Sequence, residues 1–252
     1  MVEILFLGTG GGRYVTPYQY RRTGGILIKE GETVLHIDPG PGAAKALRDY
    51  GEDVRKIDAL LISHAHIDHY TDAPVIIEGM TRSTRARRGT VIVAESLLKE
   101  GDIKEYHRNL VERLEIAEPG VKLRVGDVEI EVIPTKHTDP YGVGFVIRGE
   151  RTITYYSDTG YWEGMERYAE DVIISNLETL SPKAVYHTNP AVLERILEAS
   201  RPNIVFITHF GLRLLMYGPE KMAKELSEKY GVRVIATRDG YRWAGEKTLF
   251  DF

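Results

Sequence analysis

The sequence predicts one α/β domain, and three observations carry that expectation. Short apolar runs such as Val2 to Leu7, Ala59 to Ile62 and Ile204 to Thr208 alternate with stretches of helical period. Many of these runs stop at a glycine, proline or acidic turn cluster, or at a histidine, so polar residues gather where strands end. There is neither a linker, a low-complexity segment nor a visible internal repeat, and 42% apolar residues suffice to fill one core over 252 positions.

Val2 to Leu7 reads as the first strand, closed by Gly8-Thr9-Gly10-Gly11-Gly12. That turn is no dinucleotide fingerprint, because the third required glycine falls at Arg13 and no helical pattern follows; it suits a tight turn whose backbone approaches a site. Gly25 to Lys29 and Thr33 to Ile37 form a hairpin, and the second strand ends in Asp38-Pro39-Gly40. Ala43 to Tyr50 is expected as a helix, Asp58 to Ser63 as a strand, and Thr71 to Met80 as a helix with Thr71 or Asp72 at its N-cap and Pro74 in its first turn. Thr90 to Ala94 is a strand, and Leu97 to Leu114 is largely helical with a break at Gly101-Asp102. Val121 to Val125 and Val128 to Ile133 make a hairpin, as do Val143 to Ile147 and Thr152 to Tyr156. A strand from Asp171 to Ser175, a helix from about Ala191 to Ala199, a strand from Ile204 to Thr208, a helix from Pro219 to Tyr230 and a strand from Val232 to Ile235 follow. The chain closes on a hairpin about Ala244-Gly245-Glu246.

A net charge of −4 argues against a protein built wholly around nucleic acid. The absence of cysteine excludes disulfides and thiolate metal sites, which leaves histidine and carboxylate as ligands. The N-terminal apolar run lacks a basic leader and is too short for a signal peptide, and no stretch approaches the roughly 18 apolar residues of a membrane span. A cytoplasmic protein with no membrane contact is expected.

The chemistry centres on His64-Ala65-His66-Ile67-Asp68-His69, directly after a buried strand. On extended backbone His64 and His66 point the same way, and the following turn can bring Asp68 and His69 to a second point nearby. Three of the chain's eight histidines fall in these six residues. Neutral imidazole and carboxylate together are a common ligand set for borderline metals. Asp38, His137, Asp158 and His209 also sit at strand ends, where strands of one layer can deliver them to a common edge. His36 lies within a strand and His107 in a charged helical stretch, where packing or solvent suffices.

In that order, His64-x-His66-x-Asp68-His69, His137, Asp158 and His209 resemble the motifs of the metallo-β-lactamase superfamily, and Asp38 resembles its early aspartate. The resemblance covers nearly the whole chain. It implies a four-layer αββα sandwich with two divalent metal ions on one edge, most readily zinc, with manganese or iron as alternatives. It implies that His64, His66 and His137 hold one ion, that Asp68, His69 and His209 hold the other, that Asp158 bridges both, and that Asp38 orients ligands. Paired cations lower the pKa of water toward neutrality, so hydrolysis is the implied reaction.

Leu7-Gly8-Thr9-Gly10 and Thr208-His209-Phe210 resemble the tRNase Z and cyclic phosphodiesterase branch. So does His187, 22 residues before His209, which that resemblance makes a catalytic residue assisting the leaving group, alongside Asp68. The alternative for His187 is a cap on the helix from Ala191. Glu178 resembles the glutamate of that branch's His-Glu pair, but its histidine is absent. Only 21 residues separate His137 from Asp158, so the tRNA-gripping arm is missing. A small phosphodiester or nucleic-acid-derived substrate is expected, hydrolysed by an enzyme that by analogy forms homodimers. The rival readings are a carboxylic ester, thioester or lactone hydrolase, and a non-catalytic metal-binding member. Arg82 to Arg88, with four arginines in seven residues, either grips phosphates or is a solvated basic loop. Tyr14, Tyr18 and Tyr20 are pocket-rim candidates against core or surface roles.

Overall fold

A computed structural model describes residues 1–245. Strands β1 (Val2–Phe6), β2 (Ile26–Glu30), β3 (Thr33–Ile37), β4 (Ala59–Ile62), β5 (Thr90–Val93) and β6 (Arg113–Ile116) build one sheet. A second is built from β7 (Lys122–Val125), β8 (Val128–Pro134), β9 (Val143–Arg148), β10 (Thr152–Tyr155), β11 (Val172–Asn176), β12 (Ile204–Thr208) and β13 (Arg233–Ala236). The last strand, β14 (Arg242–Ala244), returns to the first sheet beside β1, giving the orders β14-β1-β2-β3-β4-β5-β6 and β13-β12-β11-β10-β9-β8-β7.

Alternation along the strands explains the layering. In β1, Val2, Ile4 and Phe6 face the second sheet, while Leu5 and Leu7 face outward; in β12, Ile204 and Phe206 face inward, while Val205 and Ile207 face outward. Helices cover both outward faces, so the strands are apolar on both sides and read as continuous runs. Helices α1 (Gly12–Val15), α2 (Ala43–Asp49), α3 (Ile67–Tyr70), α4 (Ala73–Met80), α5 (Glu95–Lys99) and α6 (Glu105–Leu110) lie with the first sheet in sequence. Helices α7 (Pro190–Ala199), α8 (Leu212–Tyr217) and α9 (Pro219–Tyr230) follow the strands of the second. Ala46, Leu47, Ile76, Ile77 and Leu97 of α2, α4 and α5 seal one outer face, and Leu193, Ile196, Met222 and Leu226 of α7 and α9 seal the other. The result is the four-layer αββα sandwich.

Several local expectations need correction. The glycine turn after β1 is followed by the one-turn helix α1. The helix expected from Thr71 to Met80 is α4, which begins at Ala73 with Asp72 at the N-cap position and Pro74 in its first turn, and the separate one-turn α3 precedes it; the Asp72 carboxylate does not cap but accepts from Ala44 N–H at 3.0 Å. The stretch expected to be helical through Leu114 ends earlier, because Arg113–Ile116 pairs parallel to β5 as the edge strand β6. Helix α8 has no counterpart in the sequence reading. In the expected closing hairpin, Ala244 lies in β14, and Glu246 onward lies outside the described residues. Among the described residues no helix is long and apolar enough to cross a membrane.

The C-terminal ends of β1, β3, β4, β8, β10, β11 and β12 all point to one edge of the sandwich. The sheets are stitched together there: Phe210 N–H donates to Thr9 O at 2.8 Å, Gly11 N–H to Phe210 O at 3.3 Å, and Val143 N–H to Ser63 O at 3.0 Å.

Candidate metal centre

Each chemical side chain leaves a strand at this edge. After β4, Ser63 and His64 continue the extended chain, His66 holds β-region backbone at the start of α3, and α3 carries Asp68 and His69. His137 follows β8, Asp158 follows β10 and His209 follows β12. Three residues at these ends, Asp38 (φ +51°), Ser157 (φ +57°) and His209 (φ +57°), adopt left-handed backbone without being glycine. Such conformations cost on the order of 1–3 kcal/mol each and persist where surrounding structure holds them. Here they turn the chain sharply, so that the strand-end side chains face one point.

The side chains form two main clusters, and a third group, Asp158, Glu178 and His209, overlaps both. One joins His64, His66, His137 and Asp158, the other Asp68, His69 and His209. His66 Nδ1 lies 3.1 Å from His137 Nε2, and His69 Nε2 lies 2.9 Å from His209 Nε2. Asp158 touches both: Oδ2 is 4.0 Å from His64 Nε2 and 3.6 Å from His69 Nε2, and Oδ1 is 3.5 Å from His209 Nδ1. Asp68 Oδ2 lies 3.3 Å from His209 Nε2.

The far ring nitrogens decide what these groups can bind. His69 donates from Nδ1 to Asp38 Oδ2 at 2.9 Å, and His137 from Nδ1 to Tyr186 O at 2.9 Å. Ser63 Oγ donates to Asp38 Oδ2 at 2.7 Å, so it serves His64 Nδ1, at 3.0 Å, as an acceptor. With Nδ1 engaged in this way, the Nε2 of each of these three rings points into the cluster. His64 Nε2 and His209 Nδ1 are buried with no hydrogen-bond partner. Lone pairs facing one another at such distances repel unless a cation lies between them. Two nitrogens on one tetrahedral zinc stand about 3.3 Å apart, close to the spacing seen here. The donor set fits two divalent cations.

Electrostatics divide the centre: burial would lower His69, but Asp158 and Asp38 outweigh it and hold it well above the usual imidazole range, so a metal ion there would displace a proton. Burial, reinforced by the neighbouring His69, holds His64 well below the usual imidazole range, as a metal-ligating neutral ring requires. Burial would raise the Asp158 carboxyl, but His209 and His69 outweigh it and hold it well below the carboxylate range.

Asp38 stands behind the cluster as the sequence led one to expect, but its partners were not foreseen. Asp38 accepts from Ser63 N–H (2.7 Å), Ser63 Oγ, His69 and Tyr155 OH (2.6 Å). Asn176 Nδ2 donates to Asp158 Oδ1 at 2.7 Å, and Ser157 Oγ donates to Ser63 Oγ at 2.8 Å. The signal for Asn176 was its place at the end of β11; Tyr155 and Ser63 read as ordinary strand residues. His187 Nδ1 stands 2.6 Å from Glu178 Oε2 and 3.8 Å from Asp158 Oδ2, its ring 4.9 Å from that of His137. It does not cap α7. Asn189 does, accepting from Ala191 and Val192 N–H.

Other candidates lie elsewhere. His36 is buried and donates to Gly24 O at 2.9 Å, and His107 sits 3.5 Å from Glu78. The arginine cluster is at the opposite end of β4 and β5 from the metal-binding edge. There Arg87 donates to Val111 O, and Arg88 to Met80 O and Asp58, so half its arginines hold the loop together rather than grip a ligand at the site. Tyr18 and Tyr20 stack on each other at the surface, with ring centroids 5.6 Å apart. Tyr14 lines a cavity of about 430 Å³ at the mouth of the centre, with His66, Asp68, Asp158, Glu178 and His187.

Comparison with known proteins agrees with this geometry. Residues 33–210 match the family model described as a beta-lactamase superfamily domain. An uncharacterized protein of Methanocaldococcus jannaschii is 32% identical, over 96% of this chain and 94% of its own. A ribonuclease Z of Methanopyrus kandleri is 24% identical, over 93% of this chain and 95% of its own. The solved structure of the metallo-beta-lactamase fold protein YhfI from Bacillus subtilis aligns with a TM-score of 0.80 at 20% identity, covering 97% of this chain and 100% of that one. With its ordered motifs gathered on one edge of an αββα sandwich, the chain belongs to the beta-lactamase superfamily and has the metallo-β-lactamase fold.

Proposed function

We propose that this protein is a dinuclear metal-dependent hydrolase acting on phosphodiesters. The observation that carries the reading is His187. It is not needed to complete either metal cluster, yet it faces the mouth of the centre beside Asp158, backed by Glu178. Burial pulls its pKa down, but the Glu178 carboxylate and Asp158 outweigh that effect and the net shift is upward. A proton donor at this place serves a poor alkoxide leaving group, which a phosphodiester has and a thioester lacks. The ribonuclease Z relative is consistent with this choice.

Two divalent cations, zinc by donor type, would be held by His64, His66 and His137 on one side and by Asp68, His69 and His209 on the other, with Asp158 shared. When bound they would supply Lewis acidity and a hydrolytic water of lowered pKa. The chain's own residues do the rest. Asp38 and Asn176 fix His69 and Asp158, Glu178 orients His187, and His187 delivers a proton to the departing oxygen.

The test measures metal content, then turnover of a model phosphodiester, a thioester and a lactone by wild type, Asp68→Ala and His187→Ala. With an alkyl phosphodiester, whose leaving group needs a proton, turnover lost in both variants is expected. Robust thioester or lactone turnover that His187→Ala leaves unchanged would overturn the reading. Full metal occupancy with no turnover would make the protein a binding member of its family.

A further inference from the structure

The cavity at the mouth of the centre has two unlike walls. One is the polar set His66, Asp68, Asp158, Glu178 and His187; the other is Tyr14 and Arg13 of α1 with Pro17 and Ile67. Tyr14 is 69% exposed and Ile67 57% exposed, a large apolar surface left in water beside the most polar point of the molecule. This wall is not a loose loop. Gly12 N–H donates to Asp68 Oδ2 at 2.8 Å, Thr16 Oγ1 lies 3.3 Å from the same oxygen, and Val15 is buried. Gly11 lies so close to His209 that a Cβ there would fall 2.1 Å from its ring. Helix α1 is thus fastened by its backbone to two groups of the metal centre, which fixes where Tyr14 and Arg13 stand. Arg13 lines the same cavity, so a cation is available there.

Starting from the phosphodiester reading, we infer that this cavity binds a planar aromatic substituent of the substrate. Its face stacks on Tyr14, its edge rests on Ile67 and Pro17, and Arg13 offsets the charge of the phosphate. The substrate class is a nucleoside or aryl phosphodiester rather than an alkyl or sugar one. Stacking uses the π-face that every base presents, so the site discriminates aromatic from non-aromatic groups and not one base from another. Alanine in place of a stacking aromatic typically weakens binding by about tenfold or more.

The metal-loaded protein is titrated calorimetrically with adenosine 5′-monophosphate and with ribose 5-phosphate, which differ only in the base. Hydrolysis of bis-p-nitrophenyl phosphate is followed in the same preparations. The nucleotide should bind about tenfold tighter in wild type, Tyr14→Ala should abolish the difference, and Tyr14→Phe and Tyr18→Ala should keep it. Equal affinities in wild type, a preference that survives Tyr14→Ala, a preference lost equally in Tyr18→Ala, or no binding of either ligand would each overturn the inference. A Tyr14-dependent preference without phosphodiester turnover would uphold the aromatic site and sink the phosphodiesterase reading. Turnover without the preference would do the reverse.

Discussion

The two sheets are built alike and equip the centre differently. Each runs through three antiparallel pairings and then three parallel ones, and in each the switch is followed by a left-handed non-glycine residue, Asp38 after β3 and Ser157 after β10. The first sheet delivers four donors from a single stretch, His64 to His69, half of it wound on α3. The second delivers one donor per strand end, His137 after β8, Asp158 after β10 and His209 after β12. A contiguous set is positioned by local backbone, so its geometry survives small shifts of the sheet. A dispersed set is only as accurate as the packing of β8, β10 and β12 against one another. On the proposed reading, the first half would set where metals can sit, and the second whether they are shared and how a proton reaches a leaving group.

Substitutions can break that division. Asp158 belongs to the dispersed half but touches both clusters, so Asp158→Ala should be the most severe change: loss of both metals by elemental analysis and an activity drop of about 10³-fold or more. Near-normal occupancy of one ion would show the clusters to be independent. His187→Ala should lower turnover of an alkyl phosphodiester by roughly 10²–10³-fold and spare one with a good p-nitrophenolate leaving group, read from a leaving-group series. A uniform loss across the series would make His187 a binding or structural group instead.

A third comparison uses His36, a buried histidine of the first half outside the centre. Burial lowers its pKa to about 4, so it is neutral when folded and protonates more readily when unfolded. The stability tied to it is fully present above the unfolded value near 6.5 and is lost as pH falls toward about 4, by on the order of 3 kcal/mol. His36→Leu should flatten the acid limb of a melting-temperature profile, measured in chelator so that metal release does not contribute. An unchanged limb would locate the acid sensitivity elsewhere. The smallest effect is expected behind the ligands. Tyr155→Phe removes one of four donors to Asp38 and should weaken metal binding by about tenfold in a competitive chelator titration.

The same contrast explains what could be read from the sequence. His64 to His69 announced itself because its spacing alone implies a shared target, and the apolar run before it placed it at a strand end. His137, Asp158 and His209 became a set through their order along the chain, since nothing local distinguishes a strand-end histidine that binds metal from one that caps a turn. Tyr155 and Ser63 are not legible, and Asn176 only by its place at a strand end, because hydrogen-bond partners far apart in sequence leave no periodic trace. The first two residues of edge strand β6 read as the end of a helix because Arg113-Leu114-Glu115-Ile116 is short and half polar, and pairing with β5, not propensity, makes it a strand. Helix α1 escaped notice because one turn is too short to show a period.

Each cluster draws its donors from both sheets, so a bound ion would join points far apart along the chain. His66 and His137 are 71 residues apart and His69 and His209 are 140 apart. An ion held between such points is a reversible cross-link that restricts the unfolded polymer, and a loop of the longer span is worth on the order of 5 kcal/mol when closed covalently. If two ions are held there, chelation would open two long loops at once and lower the melting temperature as well as any activity.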